Sequence, residues 1–283
     1  MSIKVEGEIR RPTAAAMVHT YREGFGLRSK SDTLITEEPL ELRAHGPGQD
    51  PVAVATIMRT PGADFELAVG FLLSEGVLAS KQDLATVCYC NLDGLEEQRY
   101  NVVTVELRIP YRPLRERETT VGSSCGICGT TTIDQIEKKL SPIDSGFAVS
   151  ADVIRHAPGD LRRRQKLFAK TGGVHGAAIV DGKGATLYTN EDVGRHNALD
   201  KVLGKALMEA KLPLSNHIAV LSGRIAFDMV QKAAIAGVPV VVAVGAPTNL
   251  AVNLAERSGI TLCGFTTPQH FNIYSHPERV SLS

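Results

Sequence analysis

The C-terminal half of the chain alternates short, aliphatic segments with segments of helical periodicity, and this order constrains the fold most strongly. Strands are predicted at His217–Leu221, Val238–Val244 and Ile260–Cys263, separated by helices at Ile225–Ala236 and Leu250–Ser258. Apolar strands that alternate with helices are typical of a mostly parallel sheet with helices on both faces. The sequence therefore predicts an α/β fold whose ligands bind beyond the carboxyl ends of the strands.

The N-terminal half has a different pattern, in which predicted strands predominate. Leu40–Arg43 and Val52–Met58 are predicted strands, and a helix is predicted to begin near Thr60–Asp64. Residues 1–30 are expected to form an extended arm or an early strand. We predict three parts, which are an N-terminal α+β domain with an extended arm (1–119), a mobile cysteine loop (120–130) and a C-terminal α/β domain (131–283).

Composition excludes several classes of function. The 283 residues contain 31 lysines and arginines against 31 aspartates and glutamates, so no basic excess predicts nucleic-acid binding. The N-terminus has no pattern typical of a signal peptide, and no apolar run is long enough to span a bilayer. We therefore expect a cytoplasmic protein that does not enter membranes and whose thiols are reduced.

Two cysteines spaced as C-x-x-C, Cys125 and Cys128, lie in a glycine-rich segment ahead of a predicted helix at 130–140. The positive end of a helix dipole favours a thiolate, so either cysteine is a candidate nucleophile. Three alternatives compete. A zinc site would need further ligands such as Cys88 and Cys90, which are interpreted more simply as packing on one face of a strand. A structural disulfide is disfavoured in a reducing compartment, whereas a thioredoxin-like redox pair stays open.

Polar loops occur where an α/β sheet would bind its ligand. Ser222–Arg224 and Gly245–Thr248 each follow a predicted strand and precede a helix, and Glu191–Asn197 precedes a third helix. Helix N-termini and the forked donors of Arg195 and Arg224 suit a phosphorylated ligand. Ordinary strand-to-helix turns with surface arginines are the alternative. Neither a P-loop nor a G-x-G-x-x-G motif is present, which disfavours common nucleotide triphosphatases and dehydrogenases.

Other segments carry single candidate residues. His175 follows a glycine pair and is either an acid–base or ligand-contacting group or a structural histidine. Cys263 lies in a predicted strand and is expected to be buried. Asp160–Phe168 is predicted to be a basic helix, which is either a solvated face or a surface for an acidic partner or an anionic cofactor. A β-hairpin is predicted around Asp181–Gly184.

Taken together, six motifs give the chain a resemblance to a known family. They are Ser124–Gly129, Gly172–Ala178, Glu191–Lys201, Leu221–Arg224, Gly245–Thr248 and Phe271–His276. In this order and spacing they resemble the formate dehydrogenase accessory sulfurtransferase family (FdhD), from about residue 35 to the C-terminus.

The resemblance implies a sulfurtransferase with a cysteine persulfide intermediate. The sulfur would come from a cysteine desulfurase and go to the molybdenum of a bis-molybdopterin guanine dinucleotide cofactor, for the catalytic subunit of formate dehydrogenase. Cys125 matches the persulfide-bearing cysteine and Cys128 its partner. The cofactor is cargo, no permanently bound metal is expected, and a homodimer is the family default. The cofactor-binding candidates are the matching segment Phe271, Asn272, Ile273, Tyr274, Ser275 and His276, together with Arg195, Arg224 and His175.

The resemblance also implies a C-terminal cytidine-deaminase-like α/β/α domain with a smaller N-terminal α+β domain. Zinc-dependent deamination is nevertheless disfavoured, because Ala177 stands where the glutamate after His175 would be and the cysteine pair lies upstream. Two other functions stay open. They are a molybdenum-cofactor chaperone that moves no sulfur and a cytosolic thiol oxidoreductase.

Overall fold

The computed structural model describes residues 11–89, 100–113 and 142–282 and has a mixed α/β fold. The cysteine pair, Cys90 and the helix predicted at 130–140 lie outside these residues. The described strands are β1 Thr13–Arg22, β2 Gly26–Ile35, β3 Glu38–His45, β4 Val52–Arg59, β5 Leu84–Tyr89, β6 Val102–Leu107, β7 Val149–Ser150, β8 His175–Asp181, β9 Thr186–Asp192, β10 His217–Leu221, β11 Val240–Ala243, β12 Thr261–Gly264, β13 Asn272–Ser275 and β14 Val280–Ser281. The helices are α1 Asp64–Ser74, α2 Ala151–Arg164, α3 Lys166–Thr171, α4 Arg195–Met208, α5 Phe227–Ile235 and α6 Asn249–Ser258.

A six-stranded sheet in the order β13-β12-β11-β10-β8-β9 forms the centre of the C-terminal half. Only β10, β11 and β12 are parallel to one another, and β8, β9 and β13 join by antiparallel pairing. The prediction of a mostly parallel sheet was therefore wrong. The predicted hairpin at Asp181–Gly184 is confirmed, and a hairpin necessarily adds its two strands in opposite directions.

Alternate side chains of the central strands enter two hydrophobic clusters on opposite faces of the sheet. Ile218 and Val220 of β10 join one cluster with α2, whereas Ala219 and Leu221 join the other with α4, α5 and α6. This period of two is the ordinary geometry of a strand. Because both faces are covered, β11 and residues 218–221 of β10 are apolar at every position. Cys263 is buried in the α2-side cluster, as expected.

The N-terminal half has a four-stranded sheet in the order β4-β3-β6-β5, and its helix α1 packs directly against α4. The two helices approach so closely that a Cβ atom on Gly70 would lie 1.9 Å from the Asp200 carbonyl oxygen, and one on Gly204 would lie 1.9 Å from the Glu66 carbonyl oxygen. Residues of both halves consequently belong to one hydrophobic cluster.

Three local predictions were wrong or incomplete. The N-terminal arm is an exposed antiparallel hairpin of β1 and β2, which extends beyond residue 30. The basic helix at Asp160–Phe168 is in fact the end of α2 and the start of α3, separated at Gln165. The carboxylate of Glu191 accepts both the Leu167 and the Phe168 N–H at 2.8 Å, which stabilises a new helix start there. Cys88 is exposed, so it does not pack as predicted.

No helix in the described ranges is long and apolar enough to cross a membrane.

Candidate functional site

Five segments meet at one edge of the six-stranded sheet. The parallel strands β10, β11 and β12 end there and continue into loops at Ser222, Val244 and Phe265. The antiparallel strands bring their opposite ends to the same edge, because His175 begins β8 and Asn272 begins β13. The order and direction of the strands therefore bring together the loops that we predicted from the sequence to bind a ligand.

Hydrogen bonds hold these loops against one another. The Gly245 N–H donates to the Gly223 carbonyl at 3.2 Å, and the Ile225 N–H donates to the Ala246 carbonyl at 3.0 Å. A Cβ on Gly245 would lie 2.8 Å from that Gly223 carbonyl group, so only glycine permits this approach. Gly223 in turn lies against His175, since its own Cβ would be 3.2 Å from Nδ1 of the ring. These contacts hold the loop backbones at this edge in one arrangement, which we call the frame.

Four basic side chains converge on this frame, namely His175, Arg195, His196 and Arg224. Burial lowers the pKa of His175 most, and the nearby charges of Arg195, His196 and Arg224 lower it further. His175 is therefore neutral at neutral pH. Nε of Arg195 is buried and has no hydrogen-bond partner among the described residues. The charges of Arg195 and Arg224, close enough together to act on the same histidine, favour an anionic ligand.

One carboxylate, that of Asp228, contacts the cluster. One of its oxygens contacts Nε2 of His196. Burial acts to raise the pKa of Asp228, but the hydrogen bond and charge of His196, followed by Lys232 and Arg195, lower it overall. Asp228 stands in the first turn of α5 and was missed at the sequence level, where it resembles an ordinary acidic residue near a helix start.

Residues of the Glu191–Lys201 segment have two kinds of position: some hold the fold together, and others lie at the candidate site. Asp192 is fully buried and lies 2.7 Å from Nζ of Lys201, which also donates to the Thr60 carbonyl at 3.0 Å. Oδ1 of Asp192 accepts from the Asn197 amide at 2.8 Å. These bonds attach the start of α4 to the N-terminal half. Only Arg195 and His196 of this segment contribute to the basic cluster.

The C-terminal segment 271–276 is spread along a strand and does not converge on one point. Asn272 pairs with Gly264 at the site edge, whereas Ser275 pairs with Leu262 further from it. The Ser275 hydroxyl donates to the Ile260 carbonyl, and the His276 ring contacts the Glu256 carbonyl and Glu278. The structure thus brings Phe271 and Asn272 to the edge with His175, Arg195 and Arg224. It places Ser275 and His276 away from the edge, and Ile273 and Tyr274 lie between these pairs.

Phe265 is a further residue that the sequence analysis missed. It has a positive φ of 51° and remains 46% exposed in the loop that follows β12. Its N–H donates to the Gly245 carbonyl, which holds the backbone of this loop at the site edge. A non-glycine residue in this conformation is uncommon and often marks a ligand-contacting loop. No sequence pattern predicts it.

Comparison with known proteins agrees with the extent of the resemblance, which runs from about residue 35 to the C-terminus. A sequence profile of the FdhD/NarQ family matches residues 35–281. The "Sulfur carrier protein FdhD" of Streptomyces coelicolor is 43% identical over 282 residues, covering 96% of this chain and 97% of the relative. The protein of the same name from Mycobacterium tuberculosis is 43% identical over 264 residues, covering 89% of this chain and 93% of the relative.

A solved structure from Desulfotalea psychrophila, described as a candidate formate dehydrogenase accessory protein, has the same fold. Its TM-score is 0.74 at 23% identity, and the alignment covers 96% of this chain and all of that chain. The profile match extends over most of the sequence, and the curated relatives align along nearly their whole length. The chain therefore belongs to the FdhD/NarQ family.

Proposed function

We propose that this protein is a sulfur carrier that accepts sulfur on Cys125 and delivers it to the molybdenum of a bis-molybdopterin guanine dinucleotide cofactor for formate dehydrogenase. The observation that carries the proposal is the convergence of His175, Arg195 and Arg224 at one sheet edge, in a chain 43% identical to proteins named sulfur carriers. A large anionic cargo suits a site in which Arg195 and Arg224 lie near His175, while the Asp228 carboxylate contacts His196.

The first step is transfer between cysteines. The Cys125 thiolate attacks the terminal sulfur of the desulfurase persulfide, the sulfur–sulfur bond breaks, and the desulfurase cysteine leaves as a thiolate. Cys125 then carries the sulfur as a persulfide. The predicted helix at 130–140 supports this step, because a thiolate ahead of a helix N-terminus is stabilised.

The second step releases sulfur at the oxidation level of sulfide. The Cys128 thiolate attacks the inner sulfur of the Cys125 persulfide, a disulfide forms between the two cysteines, and hydrosulfide leaves toward the metal. The two cysteines supply the two electrons that this reduction requires. A cellular dithiol must then reduce the disulfide, which restores the carrier for another cycle.

The cargo is bound by the edge described above. We assign its phosphates to Arg195 and Arg224, and we place its contacts with the C-terminal segment at Phe271 and Asn272, which lie at the same edge. A cysteine desulfurase and the formate dehydrogenase catalytic subunit are the proposed partners. We also propose a homodimer and a cytoplasmic location.

Intact-protein mass spectrometry tests sulfur transfer directly. Incubation with a cysteine desulfurase and cysteine should add sulfur mass that a reductant removes, and Cys125→Ala should abolish the gain. Cys128→Ala should still load sulfur but accumulate it, because the release step is removed. Wild-type protein that acquires no sulfur would exclude the mechanism and favour a cofactor chaperone. A reversible disulfide without any persulfide would favour a thiol oxidoreductase.

Substitution of Arg224 tests the anion site separately. Arg224 is exposed, so Arg224→Ala should leave the fold intact while weakening pyrophosphate binding by roughly tenfold, the effect of one charge-assisted contact. Isothermal titration calorimetry measures the change, and Lys211→Ala is the matched exposed control. Equal affinity in wild type and Arg224→Ala would remove Arg224 from the site.

A further inference from the structure

The corner between α2 and α3 carries exposed cations that the proposed function does not use. Arg163 and Arg164 end α2, and Lys166 and Lys170 share one face of α3 because they are four residues apart. We call these four residues the basic corner. Arg163 contacts Asp160, whereas the other three form no ion pair within the described ranges. Exposed cations without partners can pair with the carboxylates of another molecule.

The backbone of the basic corner is fixed, and the corner lies close to the site edge. The carboxylate of Glu191 accepts the N–H groups of Leu167 and Phe168 at the start of α3. The same helix packs against β2 of the N-terminal arm. Only residues 172–174 separate α3 from His175, which begins β8 at the site edge. A partner that binds the corner would therefore lie beside the candidate site.

A cavity of about 320 Å³ opens at the same corner, between α3 and the N-terminal half. Arg164, Thr189 and Asn190 line it, together with Pro12 of the arm and Pro61 ahead of α1. The Thr189 hydroxyl oxygen is buried and has no hydrogen-bond partner among the described residues. Burying a hydroxyl without a partner is unfavourable, so a ligand group that supplies an acceptor here would be stabilised.

We propose that the basic corner binds an acidic surface of the enzyme that receives the cargo, with one carboxylate of that enzyme inserted into this cavity. The carboxylate accepts hydrogen bonds from Arg164 and from the Thr189 hydroxyl, while Lys166 and Lys170 pair with further acidic side chains. Glu191 also lines the cavity, but its carboxylate is already bonded to the start of α3. The inference rests on the proposed function, because the receiving enzyme is the client proposed above.

Other anionic partners fit the basic corner less well. None of the large hydrophobic side chains of α2 and α3 is exposed, so these helices offer nothing to insert into a lipid surface. Proteins that bind single-stranded nucleic acids stack bases on exposed aromatic rings. Here the Phe168 ring is covered by the Arg162 guanidinium, 3.7 Å from its centre. An acidic protein surface is therefore the partner that these residues favour.

Biolayer interferometry of the full chain with purified formate dehydrogenase catalytic subunit tests the charges. Replacing both Lys166→Glu and Lys170→Glu should lower the association rate about tenfold at about 50 mM salt, and the difference should shrink at about 300 mM. The control replaces Lys183→Glu and Lys211→Glu, which changes the charge equally at exposed positions on other elements. This control should bind like wild type.

Thr189→Val tests the cavity without changing charge. The substitution removes the hydroxyl donor at similar volume, so it should raise the dissociation rate by about tenfold while the association rate stays unchanged. Thr186→Val is the matched control, because Thr186 lies on the same strand and does not line the cavity. Urea denaturation of all variants verifies that each one is folded under the binding conditions.

Three results would overturn the proposal. They are a wild-type protein that does not bind the subunit at low salt, equal association rates in the two double variants, and equal dissociation rates in the two valine variants. Tighter binding of single-stranded DNA or of phosphatidylglycerol vesicles than of the subunit, lost on replacing Lys166 and Lys170, would also overturn it.

Failure of the proposed function has a different signature, which is the absence of added sulfur on wild-type Cys125. Both quantities are measured on the same wild-type preparation. A protein that loads sulfur, but whose two double variants associate alike with the subunit, would retain the function and lose this inference.

Discussion

Charged side chains are arranged differently in two regions of the molecule. At the junction of the two halves, two buried lysines each pair with a carboxylate: Nζ of Lys201 lies 2.7 Å from Asp192, and Nζ of Lys232 lies 2.8 Å from Asp200. At the sheet edge, four basic side chains meet with Asp228 as the acidic partner of one of them. Buried charges require partners to be tolerated, whereas cations gathered at an accessible edge suit an incoming anion. The buried pairs at the junction are therefore balanced in charge, whereas the sheet edge carries the cations that the proposed anion site requires.

Lys201→Met gives the largest expected effect, because it leaves the buried Asp192 carboxylate without its cation. We expect a loss of about 3 to 5 kcal/mol in the free energy of unfolding, measured by urea denaturation. Lys205→Met on the same helix is the control, since its pair with Glu209 is exposed and should contribute less than about 1 kcal/mol. Similar losses in the two variants would show that the junction does not depend on its buried pair.

Gly204→Ala should have the next largest effect, on the contact of α1 with α4. The added Cβ would collide with the Glu66 carbonyl oxygen, so the helices must separate at a cost of about 1 to 3 kcal/mol. Gly146→Ala is the control, because nothing lies within 4 Å of its Cβ position. Thermal denaturation compares the two variants. A Gly204→Ala protein as stable as Gly146→Ala would contradict the close helix contact.

The smallest expected effect concerns the pH dependence of the sheet edge. Burial and three neighbouring bases lower the pKa of His175, so a bound anion must raise it again. Sulfate keeps its charge over the range, and its affinity should rise a few-fold between about pH 8 and about pH 6. His175→Asn should flatten this dependence in titrations of both proteins. An identical slope would assign the protonation to another group.

The same shift fixes the sign of the contribution of His175 to stability. Its pKa in the folded protein is below that in the unfolded chain. The folded state therefore binds the proton less well, and the contribution of neutral His175 is fully present above the unfolded pKa. It is lost as the pH falls toward the folded value. His175→Asn should accordingly lose less stability than wild type on acidification.

Sequence reasoning performed best where local patterns suffice. The strands β10, β11 and β12 and the helices α5 and α6 follow from hydrophobic periodicity, which is set by burial on each face. The antiparallel direction of β8 and β13 could not be predicted, because it depends on which strands pair across the sheet. The division at Gln165 depends on Glu191, which is distant in sequence and caps α3. Nonlocal bonds of this kind leave little trace in a single sequence.

The candidate site was predicted in part for the same reason. Arg195 and Arg224 were predicted because their loops follow the rule for ligand binding at strand ends, and His175 was predicted because it follows a glycine pair ahead of a strand. Asp228 and Phe265 were missed because their roles depend on contacts between separate loops. The segment 271–276 was treated as one binding unit, although the two ends of a strand lie at different distances from the edge of the sheet. The cysteine pair lies outside the part of the chain that the structure describes.

The contact between Gly70 and Gly204 restricts how the molecule can change shape. Two helices that touch backbone to backbone cannot slide or rotate past one another without a collision of main-chain atoms. Hinge closure between the halves, a common response to ligands, is therefore disfavoured. The sulfur donor and acceptor that we propose would therefore meet the same fixed arrangement of α1 and α4.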